Sequence, residues 1–580
     1  MAVISKRRRT VIVAAAIVCI AAFLLVSLGH HHTAHAADRS DSECPGDNGG
    51  LTLSPGFCAS VFADNLGNVR HIVVAPNGVV YANVWSGGYY PGVPVPKDGF
   101  LLALQDTTGD HHADKVTRFG ETSADGAHGG TGIGLYKNYI YAEVNDRIVR
   151  YRLARGEVVP TGKPQTVLSG LPTNGDHNMH PFLIDPYGRL FVDLGTATNS
   201  CQPKNRQAYI PGATPCTELL TRGGIWLYSA DRLGQKFSPA ERYVTGLRNA
   251  EGISLDAEGR MFATQHGRDQ LIQNWPKLYP NVALTTDLPA EELVRVHRGD
   301  DYGWPYCYYD GYQQKLVLAP EYGGDGGKTQ GLCAGKQEPV AAFPAHWAPN
   351  DMLIYKAAAF PKPYQGGAFI AFHGSWNKAP APQAGYNVVF QPLKDGKASG
   401  DFVVFADGFA GAHRDPGRAT WRPMGLAVGP DGALYIADDV KGRIWRITYH
   451  GPRDIAGPAP ASEPAAAEAA EAAATIAPNA AMAVPPGSTR EQVALGERLY
   501  HASSCAGCHG PGGKGSPLAP DLTAHDRLWT DGSLPQITDV IAKGVPTPKR
   551  YRSPMPAMGG AQFSPADLAA VSAYVWSVSH

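Results

Sequence analysis

The sequence predicts a mainly β fold, a six-bladed β-propeller followed by a small all-α domain. Gly and Pro are abundant, with 67 and 47 residues, while charged residues make up 18% of the chain. This composition favours many short strands joined by turns over long helices. A short unit with a Gly- or Asn-containing turn and an apolar strand also recurs six times. Six such units are typical of a six-bladed propeller.

The repeated unit is recognised by its turn and by the strand that follows the turn. One copy reads "VVAPNGVVYANV" and the last reads "AVGPDGALYIAD". Following strands such as "DRIVRYRL" alternate with the two-residue period of a β-strand. A β-sandwich or several small β domains is the alternative, and it is less favoured because the unit recurs to the end of this body. The copies lie at 73–84, 134–144, 183–194, 254–265, 365–374 and 427–438.

Residues 1–37 are predicted to be a signal peptide or a membrane anchor. A basic cluster precedes an apolar run from Val11 to Leu28, and residues 34–36 form a small-residue cleavage pattern. Cleavage is favoured, but the run is long enough to span a bilayer, so an uncleaved leader that anchors the chain is the alternative. Either case predicts an exported protein of the periplasm or cell envelope.

The cysteines and the net charge agree with an exported protein that does not bind nucleic acid. Of nine cysteines, one lies in the leader and two belong to a motif described below. The even remainder indicates disulfides, and proximity favours three pairings although others are formally possible. The net charge of −1 offers no basic surface for phosphates. The favoured pairs are Cys44–Cys58, Cys201–Cys216 and Cys307–Cys333.

An Ala/Pro/Glu-rich stretch at 453–488 is predicted to be a linker, because it lacks aromatic residues and an amphipathic period. It separates the propeller, 44–452, from a domain at 489–580. Two helices are predicted in that domain. Ser488 and Glu491 have the spacing of a capping box for the first, and Ser564 precedes the last.

Cys505, Cys508 and His509 form a Cys-x-x-Cys-His motif, which is typical of covalent haem attachment with the histidine as an axial ligand of the iron. A disulfide or a zinc fragment is disfavoured, because a histidine is adjacent and no second ligand pair lies nearby. The motif predicts one covalently bound haem c.

The domain at 489–580 resembles class I c-type cytochromes. The resemblance implies that Met555, in a Met-Pro pair, is the second axial ligand of the haem iron. It also implies that Met558 is a pocket residue and that Pro520 lies behind the haem histidine.

Five stretches of the body resemble, in their order, the glucose/sorbosone dehydrogenase family. The resemblance covers about residues 45–450 and implies a propeller that binds pyrroloquinoline quinone (PQQ) and oxidises sugars. Such an activity would be the source of electrons for the haem. The stretches read "DHNMHPFLIDPYGRLFV", "GLRNAEGISLDAEGRMFATQHG", "DDYGWPY", "HGSWNK" and "RPMGLAVGPDGALYIADD".

The resemblance implies that His177 is the catalytic base. A neutral imidazole suits the removal of a hydroxyl proton while hydride leaves the carbon. His180 is predicted to face the substrate or cofactor, in a lesser role than the base. In glucose-oxidising relatives, a carboxylate that orients the base lies at the position that Thr196 occupies here. Asp176 is the candidate substitute, although adjacent residues on a strand, such as Asp176 and His177, point to opposite faces.

The resemblance also implies the ligands of PQQ and of a calcium ion. Arg248 and Asn249 match the pair that contacts the quinone in the family. Arg248 is also predicted to be catalytic, since a guanidinium can stabilise negative charge that builds on a quinone oxygen. Calcium, as a Lewis acid, is predicted at the backbone carbonyls of Gly267 and Arg268. The other candidate cofactor contacts are Arg70, His373, Lys378 and Arg422.

The segment "DTTGDHHAD", 106–114, alternates acidic residues as a calcium loop does. It lacks the central glycine and the bidentate glutamate of an EF-hand. A structural calcium site and a solvated hairpin turn both remain open.

Together these patterns predict an exported quinohaemoprotein. It would oxidise a sugar or a sorbosone-like aldehyde by hydride transfer to PQQ. Electrons would pass to haem c and then to an external cytochrome, quinone or terminal oxidase. One alternative is a calcium-dependent propeller of the lactonase type. The other is a non-catalytic carbohydrate-binding propeller tethered to an electron-transfer cytochrome.

Overall fold

Six β-sheets of four or five strands form the N-terminal body of the described chain. The sheets are the blades of a propeller, so the predicted mainly β, six-bladed fold is confirmed. The structure is a computed structural model, and the predicted leader and most of the central linker lie outside the residues it describes. Those residues are 44, 46–86, 95–281, 286–379, 381–461, 482–516, 518–524, 526–551, 554–561 and 563–580.

The strands follow one another blade by blade, after two N-terminal strands, β1 (Thr52–Leu53) and β2 (Phe57–Ala63). Blades 1 and 2 contain β3 (Val69–Val74), β4 (Val80–Val84), β5 (Leu101–Gln105), β6 (Lys115–Phe119), β7 (Ile133–Tyr136), β8 (Tyr139–Val144), β9 (Arg147–Arg152) and β10 (Gln165–Ser169). Blade 3 contains β11 (Phe182–Ile184), β12 (Arg189–Leu194), β13 (Gly224–Ser229) and β15 (Arg242–Thr245), while β14 (Gln235–Lys236) pairs with β10.

Blades 4 to 6 complete the ring. Blade 4 contains β16 (Ile253–Leu255), β17 (Met261–Gln265), β18 (Glu291–Val296) and β21 (Ala341–Phe343), with a hairpin of β19 (Cys307–Asp310) and β20 (Lys315–Leu318) inserted. Blade 5 contains β22 (Pro349–Ile354), β23 (Ala368–Phe372), β24 (Asn387–Gln391) and β27 (Val403–Asp407), and β1 pairs with β27 as its outermost strand. A separate small hairpin is formed by β25 (Leu393–Lys394) and β26 (Lys397–Ala398). Blade 6 contains β28 (Pro423–Val428), β29 (Leu434–Asp438) and β30 (Ile444–Tyr449).

The sequence repeats correspond to the inner hairpins of the blades, such as β3–β4 and β28–β29. Gly78, in the first of these turns, has a φ of 84°, a conformation that favours glycine. The fifth repeat differs, because it covers only a turn and β23. The innermost strand of that blade, β22, lies upstream of it.

The ring closes through the N-terminal strand β2, which pairs with β30 as the outer strand of blade 6. Phe57 on β2 packs edge-on against four aromatic rings at centroid distances of 4.7–4.9 Å. This apolar cluster joins the N-terminal strand β2 to the last two blades of the body. Burying such rings is strongly stabilising. The four rings belong to Phe360, Tyr364, Phe405 and Tyr449.

The three predicted disulfides, Cys44–Cys58, Cys201–Cys216 and Cys307–Cys333, are confirmed. They indicate an oxidising compartment. Cys505 and Cys508 carry free thiols. Among the described residues, no helix is long and apolar enough to cross a bilayer.

Among the α-helices in the described part of the chain, all but the short α1 (Leu271–Asn274) of the propeller belong to the C-terminal domain. The side chain of Thr489 caps the first of these by accepting from the amide of Gln492, so the predicted Ser488/Glu491 box was wrong by one residue. Ser564 and Asp567 form a capping box for the last helix, so the predicted start of this helix after Ser564 is confirmed. These helices are α2 (Arg490–Ala502), α3 (Cys505–His509), α4 (Leu534–Lys543) and α5 (Pro565–Val578).

Candidate functional site

One end of the propeller collects most of the predicted site residues. In an antiparallel blade, the loop that enters the first strand and the loop that leaves the second strand lie at the same end. His177 precedes β11, Arg248 precedes β16 and Arg422 precedes β28. His373 follows β23, and Arg70 lies at the start of β3. Residues far apart in the chain therefore share one face.

His177 is held in a defined tautomer. Its Nδ1 lies 2.9 Å from the carbonyl oxygen of Thr196, which can only accept, so Nδ1 carries the proton. Nε2 is left with its lone pair and has no hydrogen-bond partner among the described residues. Burial, reinforced by the nearby Arg248 guanidinium, lowers the pKa of His177 well below its ordinary value. The imidazole is therefore neutral at pH 7.

The backbone carbonyl of Thr196 takes the orienting position that the sequence left without a carboxylate. Asp176 does not fill this role, because its carboxylate accepts hydrogen bonds from Asn205 and Arg206 at 3.0 Å. The loop before β11 is not a strand, so the expected alternation of neighbours does not apply there.

His180 does not face a substrate or cofactor as predicted. Its Nδ1 lies 3.0 Å from the Glu143 carboxylate, and its Nε2 lies 3.0 Å from the Pro172 carbonyl. The ring is buried, and both nitrogens are used. His180 therefore fastens its loop to blade 2.

Arg248 is buried and paired with a carboxylate. Its guanidinium donates to Asp269 at 2.8 Å, to the Gly267 carbonyl at 2.9 Å and to Asn199 at 3.1 Å. Its Nε is buried and has no partner among the described residues. This side chain is fixed in place with one donor left over.

Asn249 also has a buried atom, Oδ1, for which the described part of the chain offers no hydrogen-bond partner. A Cβ on Gly195 would lie 2.6 Å from that oxygen and 2.6 Å from the Cβ of His177. Only glycine at 195 therefore allows His177 and Asn249 to come this close.

Asp269 is a residue that the sequence reasoning missed. It accepts from Arg248 and Arg206 at 2.8 Å each and from Asn377 at 2.6 Å. Burial alone would raise its pKa, but the two guanidinium groups outweigh burial and lower it far below the ordinary value. The signal in the sequence is its position directly after Gly267 and Arg268, the predicted calcium segment.

Arg70 and His373 share a second buried carboxylate, that of Asp439. Arg70 donates to one oxygen at 2.8 Å, and Nε2 of His373 lies 2.7 Å from the other. Burial, with a contribution from Arg422, lowers the pKa of His373 to about 4. These two predicted contacts therefore come together in space.

Arg422 and Lys378 are also engaged with the protein. The Arg422 guanidinium donates to the carbonyls of His373 and Gly374 at 2.9 and 2.7 Å. Lys378 forms an ion pair with Asp287. Both side chains brace the surrounding loops, and their contact with a cofactor stays a prediction.

The calcium predictions remain predictions. The Gly267 carbonyl accepts from the cationic Arg248, which fits poorly with a calcium ligand, while Arg268 pairs with Glu321 through its side chain. In the 106–114 segment, Asp106 accepts from the amides of Gly109 and His111 at 2.6 and 2.8 Å, as in a turn. The described part of the chain contains no group of three or more His, Cys, Asp or Glu arranged for a metal.

The C-terminal domain contains a largely apolar pocket that opens to solvent. Cys505, Cys508 and His509 lie on its wall, together with Met555. The two thiols are not joined to each other, so both are available for thioether bonds. Other lining residues include Tyr500, Ile537, Ile541, Val571 and Val575.

The donor set of this pocket fits a haem c. Nδ1 of His509 lies 3.0 Å from the Pro520 carbonyl, so Nδ1 carries the proton and Nε2 is free to bind iron. Pro520 thus takes the place that the resemblance implies. Met558 is not among the residues that line the pocket, so its assignment as a pocket residue was wrong.

These features define a class of oxidoreductase, a propeller site coupled to a c-type cytochrome. Comparisons with known proteins agree. The TrAA12-like family profile matches residues 51–450, and the cytochrome c profile matches residues 493–579. The chain therefore belongs to the TrAA12-like family and carries a C-terminal cytochrome c domain.

Known structures and sequences point to PQQ-dependent sugar dehydrogenases as relatives of the propeller. An iodide structure of an AA12 enzyme from Trichoderma reesei has a TM-score of 0.54 at 19% identity, covering 69% of this chain and 98% of that one. The holo PQQ domain of pyranose dehydrogenase from Coprinopsis cinerea has a TM-score of 0.51 at 19% identity, covering 69% and 97%. The PQQ-dependent pyranose dehydrogenase of Coprinopsis cinerea is 28% identical over 233 residues, which are 35% of this chain and 30% of that protein. The predicted relationship, a PQQ sugar dehydrogenase-like propeller followed by cytochrome c, is confirmed.

Proposed function

We propose that this protein is a PQQ-dependent dehydrogenase that oxidises a sugar or a sugar-derived aldehyde and passes the electrons to its own haem c. The observation that carries the proposal is the neutral His177 beside Arg248 and Asn249, with an Nε2 that makes no hydrogen bond to the residues described in the structure. The complete haem c donor set in the same chain and the relationship to PQQ-dependent pyranose dehydrogenase support it.

The residues at this end of the propeller fit a PQQ group. Buried polar atoms are normally hydrogen-bonded, and Nε of Arg248 and Oδ1 of Asn249 are buried without partners among the described residues. An arginine donor suits a carboxylate or quinone oxygen. Arg248 and Asn249 would therefore hold the cofactor, with Arg70, His373, Lys378 and Arg422 as further candidate contacts. When bound, PQQ supplies a two-electron acceptor for the hydride.

His177 acts on the substrate as the base. Its Nε2 accepts the hydroxyl proton while the hydride leaves the adjacent carbon. The Thr196 carbonyl keeps the opposite nitrogen protonated and stabilises the imidazolium that forms. Arg248 favours the neutral ring before reaction, because its positive charge opposes protonation.

The C-terminal domain then relays electrons one at a time. Cys505 and Cys508 would bind the haem covalently, with His509 and Met555 as the axial ligands. A methionine ligand raises the haem potential relative to a second histidine, which favours electron acceptance. An external cytochrome, quinone or terminal oxidase would receive the electrons. Export to the periplasm or cell envelope is part of the proposal, supported by the three disulfides.

The experiment reconstitutes the haem-containing protein with PQQ, with and without Ca²⁺, and follows the haem α-band after addition of aldoses and sugar-derived aldehydes. Haem reduction that depends on both PQQ and one class of sugar supports the proposal. Haem that stays oxidised with every sugar and aldehyde contradicts it. Hydrolysis of lactones without PQQ would instead identify the lactonase-type alternative. Sugar binding that PQQ does not alter, without oxidation, would identify the binding-module alternative.

A further inference from the structure

The haem-attachment motif contacts the propeller at Trp376. A Cβ placed on Gly507, between the two motif cysteines, would lie 2.8 Å from Cβ and Cε3 of Trp376. The backbone of the motif therefore rests directly on the indole ring. A side chain at 507 would push the two surfaces apart.

Trp376 is also connected to the propeller site through a short series of side-chain contacts. The guanidinium of Arg206 lies 5.8 Å from the centre of its ring. Arg206 donates to the same Asp269 oxygen as Arg248, at 2.8 Å in each case. Asn377, the next residue, donates to the other Asp269 oxygen. An unbroken set of contacts thus runs from the predicted cofactor contact Arg248 to the haem motif.

Other contacts hold the same surfaces together. Nε2 of Gln207 donates to the Pro546 carbonyl at 2.6 Å, and Gln270 lines the haem pocket. Gly417 faces His501 so closely that a Cβ on it would lie 2.1 Å from the imidazole. Gln207, Gln270 and Trp376 all lie in loops that leave the second strand of a blade, and Gly417 lies in a loop that enters a first strand. The C-terminal domain therefore covers the end of the propeller that holds His177.

We propose that Trp376 is the contact through which electrons pass from the propeller site to the haem. The inference rests on the proposed function. Oxidation of one substrate molecule releases two electrons and two protons. The electrons leave singly, each reducing one ferric haem to ferrous haem, which an external one-electron acceptor reoxidises between the two transfers. Electron transfer slows steeply as the distance between donor and acceptor grows, and Trp376 lies between the Arg206–Asp269–Arg248 cluster and the haem-attachment motif.

The kinetic test compares Trp376→Leu with Trp376→Phe in the PQQ-loaded full chain. Stopped-flow absorbance separates reduction of the cofactor by sugar from reduction of the haem. We expect Trp376→Leu to leave cofactor reduction and activity with a small soluble dye unchanged, while haem reduction slows by about tenfold or more, as small displacements at a reacting contact do. Trp376→Phe retains a ring and should keep most of the rate. Haem reduction at the wild-type rate in Trp376→Leu would overturn the proposal.

A second measurement excludes a merely structural role for Trp376. Hydrogen exchange of the segment 503–509 is measured in the haem-containing protein without PQQ. Gly417→Val provides the undocked reference, because its side chain would collide with His501. We expect exchange in Trp376→Leu to match the wild type, with an unchanged haem midpoint potential. Exchange raised to the Gly417→Val level would show that Trp376 only holds the domains together, and would overturn the electron-transfer role.

The two proposals fail in distinguishable ways. If sugar reduces neither the cofactor nor the dye, the proposed function fails, whatever the exchange data show. If sugar reduces the cofactor and the dye but the Trp376 variants behave like the wild type, only the electron-transfer role of Trp376 fails.

Discussion

His177 shows how a backbone atom replaces an expected side chain. The Thr196 carbonyl accepts from Nδ1 and leaves Nε2 unprotonated, as an orienting carboxylate would. The Thr196 hydroxyl lies 3.2 Å from the same nitrogen, farther than the carbonyl oxygen at 2.9 Å, so it is the weaker acceptor for the Nδ1 proton. The proposed base is therefore positioned by main-chain geometry, without a carboxylate.

The first prediction concerns this base. His177→Gln should slow cofactor reduction by about 10²- to 10⁴-fold, because the proton acceptor is lost. The binding of PQQ, measured by titration, should stay close to the wild type. Thr196→Val is the matched control, since it keeps the carbonyl and removes only the hydroxyl, and it should have a much smaller effect. A near-wild-type rate in His177→Gln would refute the assignment.

The second prediction concerns Glu292, on β18. Burial raises the pKa of Glu292 from 4.5 to about 8. The folded state therefore binds a proton between these pH values that the unfolded state has lost, so this group lowers the free energy of unfolding as the pH rises. Glu292→Gln removes the effect and still accepts from Gln265, the present partner at 3.0 Å.

Glu292→Gln should match the wild type near pH 4 and become more stable above it, by up to about 1.4 kcal/mol for each pH unit up to pH 8. Urea unfolding followed by tryptophan fluorescence at several pH values measures this. The exposed Glu258, replaced by Gln, serves as the control and should show no such gain. A pH-independent difference between Glu292→Gln and the wild type would contradict the prediction.

At the scale of elements, the haem pocket depends on a bend after the bridge between Val545 and Met555. Their amides and carbonyls exchange hydrogen bonds of 2.7 and 3.0 Å. Ala557–Gly560 then form a short turn in which Met558 has a φ of 55°. The pairing sets Met555 on the pocket wall, and the turn leaves Met558 outside the lining.

The third prediction follows from that difference. Met555→Ala should lower the haem midpoint potential and weaken the low-spin spectrum, because a thioether ligand is lost. Met558→Ala is the matched control and should leave both unchanged. Redox titration with optical detection measures the potential. A larger effect of Met558→Ala than of Met555→Ala would reverse the assignment.

At the scale of the whole molecule, the described residues from 44 onward belong to one compact unit. The C-terminal domain rests on the end of the propeller that carries His177, through contacts such as Gln207 with Pro546. A tether that keeps such surfaces together raises their effective concentration to about the millimolar range. Fusion of the two parts would therefore support the internal electron transfer proposed above.

The fourth prediction tests this tether. A protease site introduced within the Ala/Pro/Glu-rich segment 462–481 allows the linker to be cut in the loaded protein. Haem reduction by sugar should stay rapid at high concentration and slow on dilution, because the effective concentration is lost. The uncut protein is the control and should be insensitive to dilution. Insensitivity of the cut protein as well would mean that the interface alone holds the domains.

The sequence by itself determined the features that local patterns encode. The two-residue period and the turns predicted the blades, Cys505, Cys508 and His509 predicted the haem site, and proximity predicted the disulfide pairs. Local backbone preference and motif spacing are properties of short segments, so they can be read without knowing the fold. The capping box at Ser488 was wrong by one residue, since helix ends are less well determined than helices.

Only the tertiary structure decided which distant residues meet. Asp269 joins Arg248, Arg206 and Asn377, although these lie in different blades or loops. The contact between Trp376 and Gly507 unites two parts of the chain that no local pattern relates. The Thr196 carbonyl has no signature in the sequence, because every residue carries one. Such contacts arise from the closure of the ring and from the packing of a second domain on it, and these are properties of the whole chain.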